Sequence, residues 1–264
     1  MTIVTCVKVR DGLVLGTDSM AHIEQGGQFV RSFEHATKLF QVQDLPMGVM
    51  SYGLGNVGQR SIESLMREFS ETTVVDLEDH SVGAVGKALF DFMKQQYDGH
   101  REQLPEDEEV PALGFALAGY SEGEVFPEQA QFEFPADDAP IETLAKEEFG
   151  AAWWGVAGPF LRLSKGYGPL VRFRLEEAEL PQEAISALLD DLQIDVIFDA
   201  MPVQDAVDYA IFILNTTIDY TTFSMTLSPC GGPLQIATIL PDRSFNWLAK
   251  PEVSMKGARS ARQS

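Results

Sequence analysis

The chain has 264 residues, 45% hydrophobic and 22% charged, a globular balance that excludes wholesale disorder and supplies a substantial core for a single domain. Its formal net charge of −21 excludes nucleic acid as the expected partner, because phosphate backbones are bound by basic surface. The acidic excess reads instead as a solvated face that keeps the protein in solution.

In chain order, residues 2–9 and 13–17 are rich in Val, Ile, Leu and Thr and flank Arg10-Asp11-Gly12, where Asp-Gly is a hairpin signal. The second run hardly alternates, which predicts strands covered on both faces. Residues 38–43 and 47–52, parted by Asp44-Leu45-Pro46, predict two more strands, and the four are expected to form an antiparallel sheet. The stretch between, holding Gly26-Gly27, reads as a loop. Val57, Ile62, Leu65, Met66 and Phe69 predict a helix over 56–70. Val82, Val85, Leu89, Phe90 and Met93 predict another over 81–97, with Ser81 as its cap.

Glu102 to Glu109 is a carboxylate-rich loop. Strand character returns at 112–119 and 124–134, around Ser121-Glu122-Gly123, and again from Phe149 to Val156, after an acidic loop from Pro135 to Glu148. A short helix is expected from Gly158-Pro159 to Leu163. Longer helices are expected over 181–194 and 202–219, each opening near a proline. The last is apolar nearly all round and therefore buried. Residues 233–240 and 244–248 make a closing hairpin through Pro241-Asp242. The expected domain is 2–249, followed by a basic, mobile tail over 250–264 that carries Lys250, Lys256, Arg259 and Arg262.

Strands, helices, strands, helices, strands is an α+β pattern rather than alternating βαβ. Two cysteines, Cys6 and Cys230, are too few for a disulfide framework, and no apolar run approaches the roughly 18 residues of a membrane span. The start carries no apolar segment behind a basic flank, so the expected location is cytoplasmic, with no membrane partner. No metal-type spacing of His, Cys, Asp or Glu is found, and no metal or other cofactor is expected.

Three side chains at the start carry chemistry. Asp18 follows Thr2 by 16 positions and Lys38 follows it by 36. With Met1 removed, Thr2 would hold a hydroxyl nucleophile and an α-amine base in one residue. An α-amine titrates near 7.7–8.0, which suits a base at neutral pH.

These residues resemble the opening of the proteasome β-subunit and of its bacterial relatives, the heat-shock peptidase and the ancestral β-subunit (Anbu) branch, with length and C-terminal helices most like Anbu. The Asp spacing matches that pattern without a gap, and Lys38 needs roughly four extra residues in the intervening loop. The resemblance implies a four-layer αββα sandwich, two antiparallel sheets flanked by helices, of the N-terminal nucleophile hydrolase type. It implies a threonine-type peptidase or amidase acting on peptide or protein substrates, built as a homo-oligomeric ring or spiral. Thr2, Asp18 and Lys38 take the catalytic positions, with Lys38 the ammonium beside the nucleophile and Asp18 holding it.

Gly53, in Ser51-Tyr52-Gly53-Leu54-Gly55, falls where the family offers backbone N–H groups to an oxyanion. Ser19, Ala157, Gly158 and Cys230 fall on supporting positions. Two departures follow. The family's Gly-Ser-Gly is matched by Gly155-Val156-Ala157-Gly158, so Ala157 brings no hydroxyl. Its Asp-x-x-Ser-Gly-Gly is matched with Leu227 at the Asp and Cys230 at the Ser. A catalytically silent ring subunit is therefore the alternative. A second alternative is a dinucleotide site, because Gly53-Leu54-Gly55-Asn56-Val57-Gly58 spells G-x-G-x-x-G with Asp76 downstream.

Overall fold

A computed structural model describes residues 2–25, 28–105, 110–224 and 227–250. Its elements run β1 (Ile3–Val9), β2 (Gly12–Thr17), β3 (Ala21–Gln25), β4 (Gln28–Phe33), β5 (Leu39–Gln41), β6 (Met47–Gly53), β7 (Asn56–Val57), β8 (Arg60–Ser61), α1 (Ile62–Glu68) and α2 (Val82–Arg101). There follow β9 (Leu113–Gly119), β10 (Glu128–Phe134), β11 (Ile141–Glu142), β12 (Gly150–Gly155), α3 (Gly158–Lys165), α4 (Val171–Glu177), α5 (Gln182–Asp190), α6 (Val203–Thr222), β13 (Gln235–Ile239) and β14 (Phe245–Ala249). One sheet has the order β12-β1-β2-β13-β14 and the other β11-β10-β9-β6-β5, with every pairing antiparallel.

Side-chain alternation explains the layering. In β1 and β2, Val4, Cys6, Leu13 and Leu15 point at Leu39, Met50, Ala116 and Ala118 of the second sheet and form the central core. Their neighbours Ile3, Val7 and Val14 point the other way, onto Ala206, Ala210, Ile213 and Leu214 of α6. Both faces are covered, which is why every residue of β1 and β2 is buried. The second sheet repeats the arrangement. Phe115, Phe132 and Phe134 face α1 and α2, where Phe90 meets Phe132 edge-on with ring centroids 5.2 Å apart. The molecule is the expected αββα sandwich.

Local details depart from the sequence reading. The four early strands do not share a sheet: β1 and β2 enter one, β5 and β6 the other. Turn signals specify partners within a hairpin and are silent on how hairpins stack. Residues 18–37 are not a plain loop, for β3 and β4 make a separate hairpin with Ile23, Phe29, Val30 and Phe33 exposed. Gly26-Gly27 lies outside the described residues, as do 106–109 of the acidic loop and the tail beyond Lys250. The helix expected over 56–70 begins only at Ile62, capped by the Ser61 hydroxyl accepting from the Ser64 N–H at 3.2 Å. It continues as a π-helical turn over Phe69–Val74, and Val57 belongs to the β7–β8 hairpin. The loop over 135–148 contains β11, and α4, with no buried residue to create a pattern, was not expected.

One device recurs at the ends of both sheets. Gly155 closes β12 at φ +80°, and a Cβ there would stand 1.9 Å from the Thr2 carbonyl oxygen, which instead accepts the Val156 N–H at 2.8 Å. Gly53 closes β6 at φ +88°, and its Cβ would stand 2.1 Å from the Ala112 carbonyl, which accepts the Leu54 N–H at 3.0 Å. A left-handed glycine lets each strand end fold over its neighbour's first carbonyl.

Candidate active site

The start of β1, the ends of β2 and β12 and the start of β13 lie at one end of the first sheet, since Val4 and Gln235 both pair with Thr17, and Ile3 pairs with Gly155. The segment entering β5 joins them from the second sheet. Asp18, just beyond β2, is fully buried at their meeting point. Its Oδ1 accepts the Ile3 N–H at 3.2 Å and the Lys38 ammonium at 2.9 Å. Its Oδ2 accepts the N–H groups of Met20 at 3.2 Å and Gly231 at 2.9 Å. Four donors thus satisfy one buried carboxylate, which is what makes such a group tolerable away from water.

Lys38 is also buried, and its ammonium donates a second bond to the Met20 carbonyl at 2.5 Å. Burial pulls its proton affinity below that of an ordinary lysine, while the Asp18 charge and hydrogen bond push the other way. Thr2 is buried and directly precedes Ile3, whose amide is tied to Asp18. The structure therefore gathers Thr2, Asp18 and Lys38 at one strand end, although the three come from the starts or ends of three different strands.

The supporting candidates divide. Cys230 lies near enough to Lys38 and Asp18 to feel both charges, and burial foremost pushes its thiol up to about 11, so it is a neutral group at physiological pH. Its sulfur lies 3.5 Å from the Thr221 hydroxyl. Ser19 serves the scaffold: its hydroxyl lies 2.7 Å from the Glu34 carbonyl and 2.6 Å from that of Pro233, tying the foot of the β3–β4 hairpin to the approach to β13. Ala157 precedes α3 without a side-chain cap, and Gly158 is the helix's first residue. Leu227, where the resemblance has an Asp, is 54% exposed. Gly53 sits two residues past Ser51, whose N–H donates to the Lys38 carbonyl at 2.9 Å.

The sequence reading missed Gln235. This residue is fully buried at the start of β13, where its Oε1 accepts the N–H groups of Lys38 and Leu39, each at 3.1 Å. Its Nε2 donates to the Ala36 carbonyl at 2.7 Å. The only trace in the sequence is a polar residue heading the apolar run Gln235-Ile236-Ala237.

The glycine motif does not have the geometry of a dinucleotide site. Gly53 ends a strand of an antiparallel sheet, Gly58 turns the β7–β8 hairpin at φ +58°, and α1 starts later under its own serine cap. A pyrophosphate fingerprint needs the glycines to open the helix of a parallel βαβ unit. Among the described residues, no group of His, Cys, Asp and Glu is placed to hold a metal ion, and no helix is long and apolar enough to cross a membrane.

The chain matches no family model and no curated protein. Solved structures are similar along nearly the whole chain. The helical assembly of the Anbu complex from Pseudomonas aeruginosa is 15% identical, with 97% of this chain and 88% of that chain covered and a TM-score of 0.58. Anbu from Hyphomicrobium sp. strain MC1 is 12% identical over 97% and 89%, with a TM-score of 0.57. Anbu (ancestral beta-subunit) from Yersinia bercovieri is 14% identical over 94% and 87%, with a TM-score of 0.53. At these identities the likeness is one of architecture, and the chain has the proteasome-like fold of the Anbu proteins.

Proposed function

We propose that the chain is a threonine-type peptidase or amidase subunit of a proteasome-like homo-oligomer. The observation that carries this reading is the buried Asp18–Lys38 pair, 2.9 Å apart, bonded through the Ile3 amide to the strand that directly follows Thr2. A fully buried carboxylate paired with a largely buried ammonium at a strand end is costly as mere scaffolding, because apolar residues of like volume would serve stability at least as well. As chemistry they fit. With Met1 removed, the Thr2 α-amine takes the hydroxyl proton as the oxygen attacks a peptide carbonyl. Lys38 supplies positive charge beside the developing alkoxide, and Asp18 keeps that charge in place. Collapse of the tetrahedral intermediate expels the amine, which takes the proton from the α-ammonium and leaves an ester on Thr2. Water, deprotonated by the same amine, then releases the acid and restores the hydroxyl. Gly53 is the proposed backbone donor to the oxyanion.

A catalytically silent ring subunit is the second reading. It is favoured by Ala157, which has no hydroxyl, and by Leu227, which stands exposed where a carboxylate would act. Hydrolysis of small fluorogenic peptide amides by the processed protein separates the two. Turnover that disappears in Thr2→Ala supports the first reading. Turnover retained in Thr2→Ala overturns the mechanism, and inert processed protein moves the second reading ahead.

A further inference from the structure

The Asp18–Lys38 pair joins two sheets, and the approach to β5 is held to the first sheet by the Ser19 carbonyl, which accepts the Ala36 N–H at 2.9 Å, and by one side chain of β13. Lys38 enters β5, whereas Asp18 leaves β2, so their separation depends on how the approach to β5 is fixed against the first sheet. Gln235 bridges that gap. It sits on β13 directly opposite Thr17, the residue before Asp18. Its carboxamide reaches across to three backbone groups of residues 36–39: the carbonyl of Ala36 and the N–H groups of Lys38 and Leu39. Only an amide fits this set, since one end must accept twice and the other must donate. A carboxylate would face the Ala36 carbonyl with no proton to give. An aliphatic chain would leave three buried backbone groups unpaired.

We propose that Gln235 is the positioning residue of the site, fixing the Lys38 segment to the strand beside Asp18 and so setting where the ammonium stands. The inference rests on reading Lys38 as the site's cation, and it assigns Gln235 no contact with substrate. The ammonium is faced by Asp18 from the end of β2 and by Cys230 from the approach to β13, and in the proposed processed chain also by the Thr2 α-amine at the head of β1, which stays the same in every variant compared. Burial, the largest influence on its proton affinity, lasts only while the segment stays seated. Loosening the clamp lets water reach the amine and moves its titration back toward that of an exposed lysine. A carboxylate at position 235 moves it the same way by adding negative charge nearby.

The test uses the full-length assembled protein in four forms: wild type, Gln235→Leu, the isosteric Gln235→Glu, and Ser121→Ala as a control. Ser121 is buried just beyond β9, at the opposite end of the second sheet from Lys38, where its hydroxyl accepts the Val82 N–H at 2.9 Å. The first readout is the pH midpoint for acetylation of Lys38 by acetic anhydride, followed by peptide mass spectrometry. The second is the rate at which an electrophile selective for N-terminal threonine modifies Thr2. Both Gln235 variants should raise the midpoint by about one pH unit and slow Thr2 modification about tenfold or more, as expected for a displaced charge. Ser121→Ala should move neither. A wild-type midpoint in both Gln235 variants overturns the proposal, even where their melting temperatures fall. Wild-type protein that is unmodified at Thr2 at every pH defeats the threonine reading instead, while the Lys38 midpoint still decides the clamp.

Discussion

At the residue scale, Asp18 is the group on which most converges. Its two oxygens hold the Ile3, Met20 and Gly231 amides and the Lys38 ammonium. Asp18→Asn keeps the shape but turns an NH₂ toward donors and leaves a buried cation without its counter-ion. It should cost about 3–5 kcal/mol, the usual penalty for breaking a buried pair, measured as a lower denaturation midpoint at fixed protein concentration. The pH profile tests the chemistry separately. The proposed mechanism needs a neutral α-amine and a charged Lys38, so kcat/KM should rise through the amine's range near 7.7–8.0. It should fall again as Lys38 loses its proton, below the ordinary lysine value of about 10.4, because burial lowers that affinity. A profile flat beyond pH 10 would contradict the assignment of Lys38. Lys38→Ala should lower kcat/KM on the order of 10²-fold or more. Thr2, Asp18 and Lys38 were legible because their spacings are local and lie in the first forty residues. Gln235 was not legible, since the groups it serves lie almost two hundred positions away and its own neighbourhood carries no motif.

At the element scale, the site rests on strand ends, and the paired glycines show how tightly these are built. Gly155→Ala should cost about 2 kcal/mol or more, since it adds left-handed strain to a collision with the Thr2 carbonyl. Because that carbonyl belongs to the proposed nucleophile, activity should fall further than stability alone explains. Gly53→Ala strains the other sheet against Ala112 and should destabilise comparably. Urea unfolding and peptide hydrolysis on the two variants give the comparison, and equal loss of activity at equal stability would contradict the special place of Thr2. Most long elements were readable from period and turn chemistry, β1, β2, α2 and α6 above all. The β3–β4 hairpin was not, because a two-stranded ribbon that exposes Ile23, Phe29, Val30 and Phe33 lacks the buried face that creates alternation. The start of α1 was misplaced because Val57 continues the helical period by coincidence while it pairs with Arg60 in a hairpin.

At the scale of the whole molecule, the proposal needs self-association by a chain whose formal net charge is −21. Like charges on copies oppose assembly, and salt screens them within about 8 Å at physiological ionic strength. Light scattering at micromolar concentration should show a multiple of 29.1 kDa that grows more populated as salt is raised. A monomer under all conditions would remove the ring from the account. In the proposed mechanism Thr2 acts only through a free α-amine, because an amide nitrogen following Met1 cannot accept a proton. Intact-mass measurement, before and after treatment with an electrophile selective for N-terminal threonine, tests it most directly. The chain should lack Met1 and gain one adduct, lost in Thr2→Ala. A chain that keeps Met1 and still hydrolyses peptide amides would contradict it.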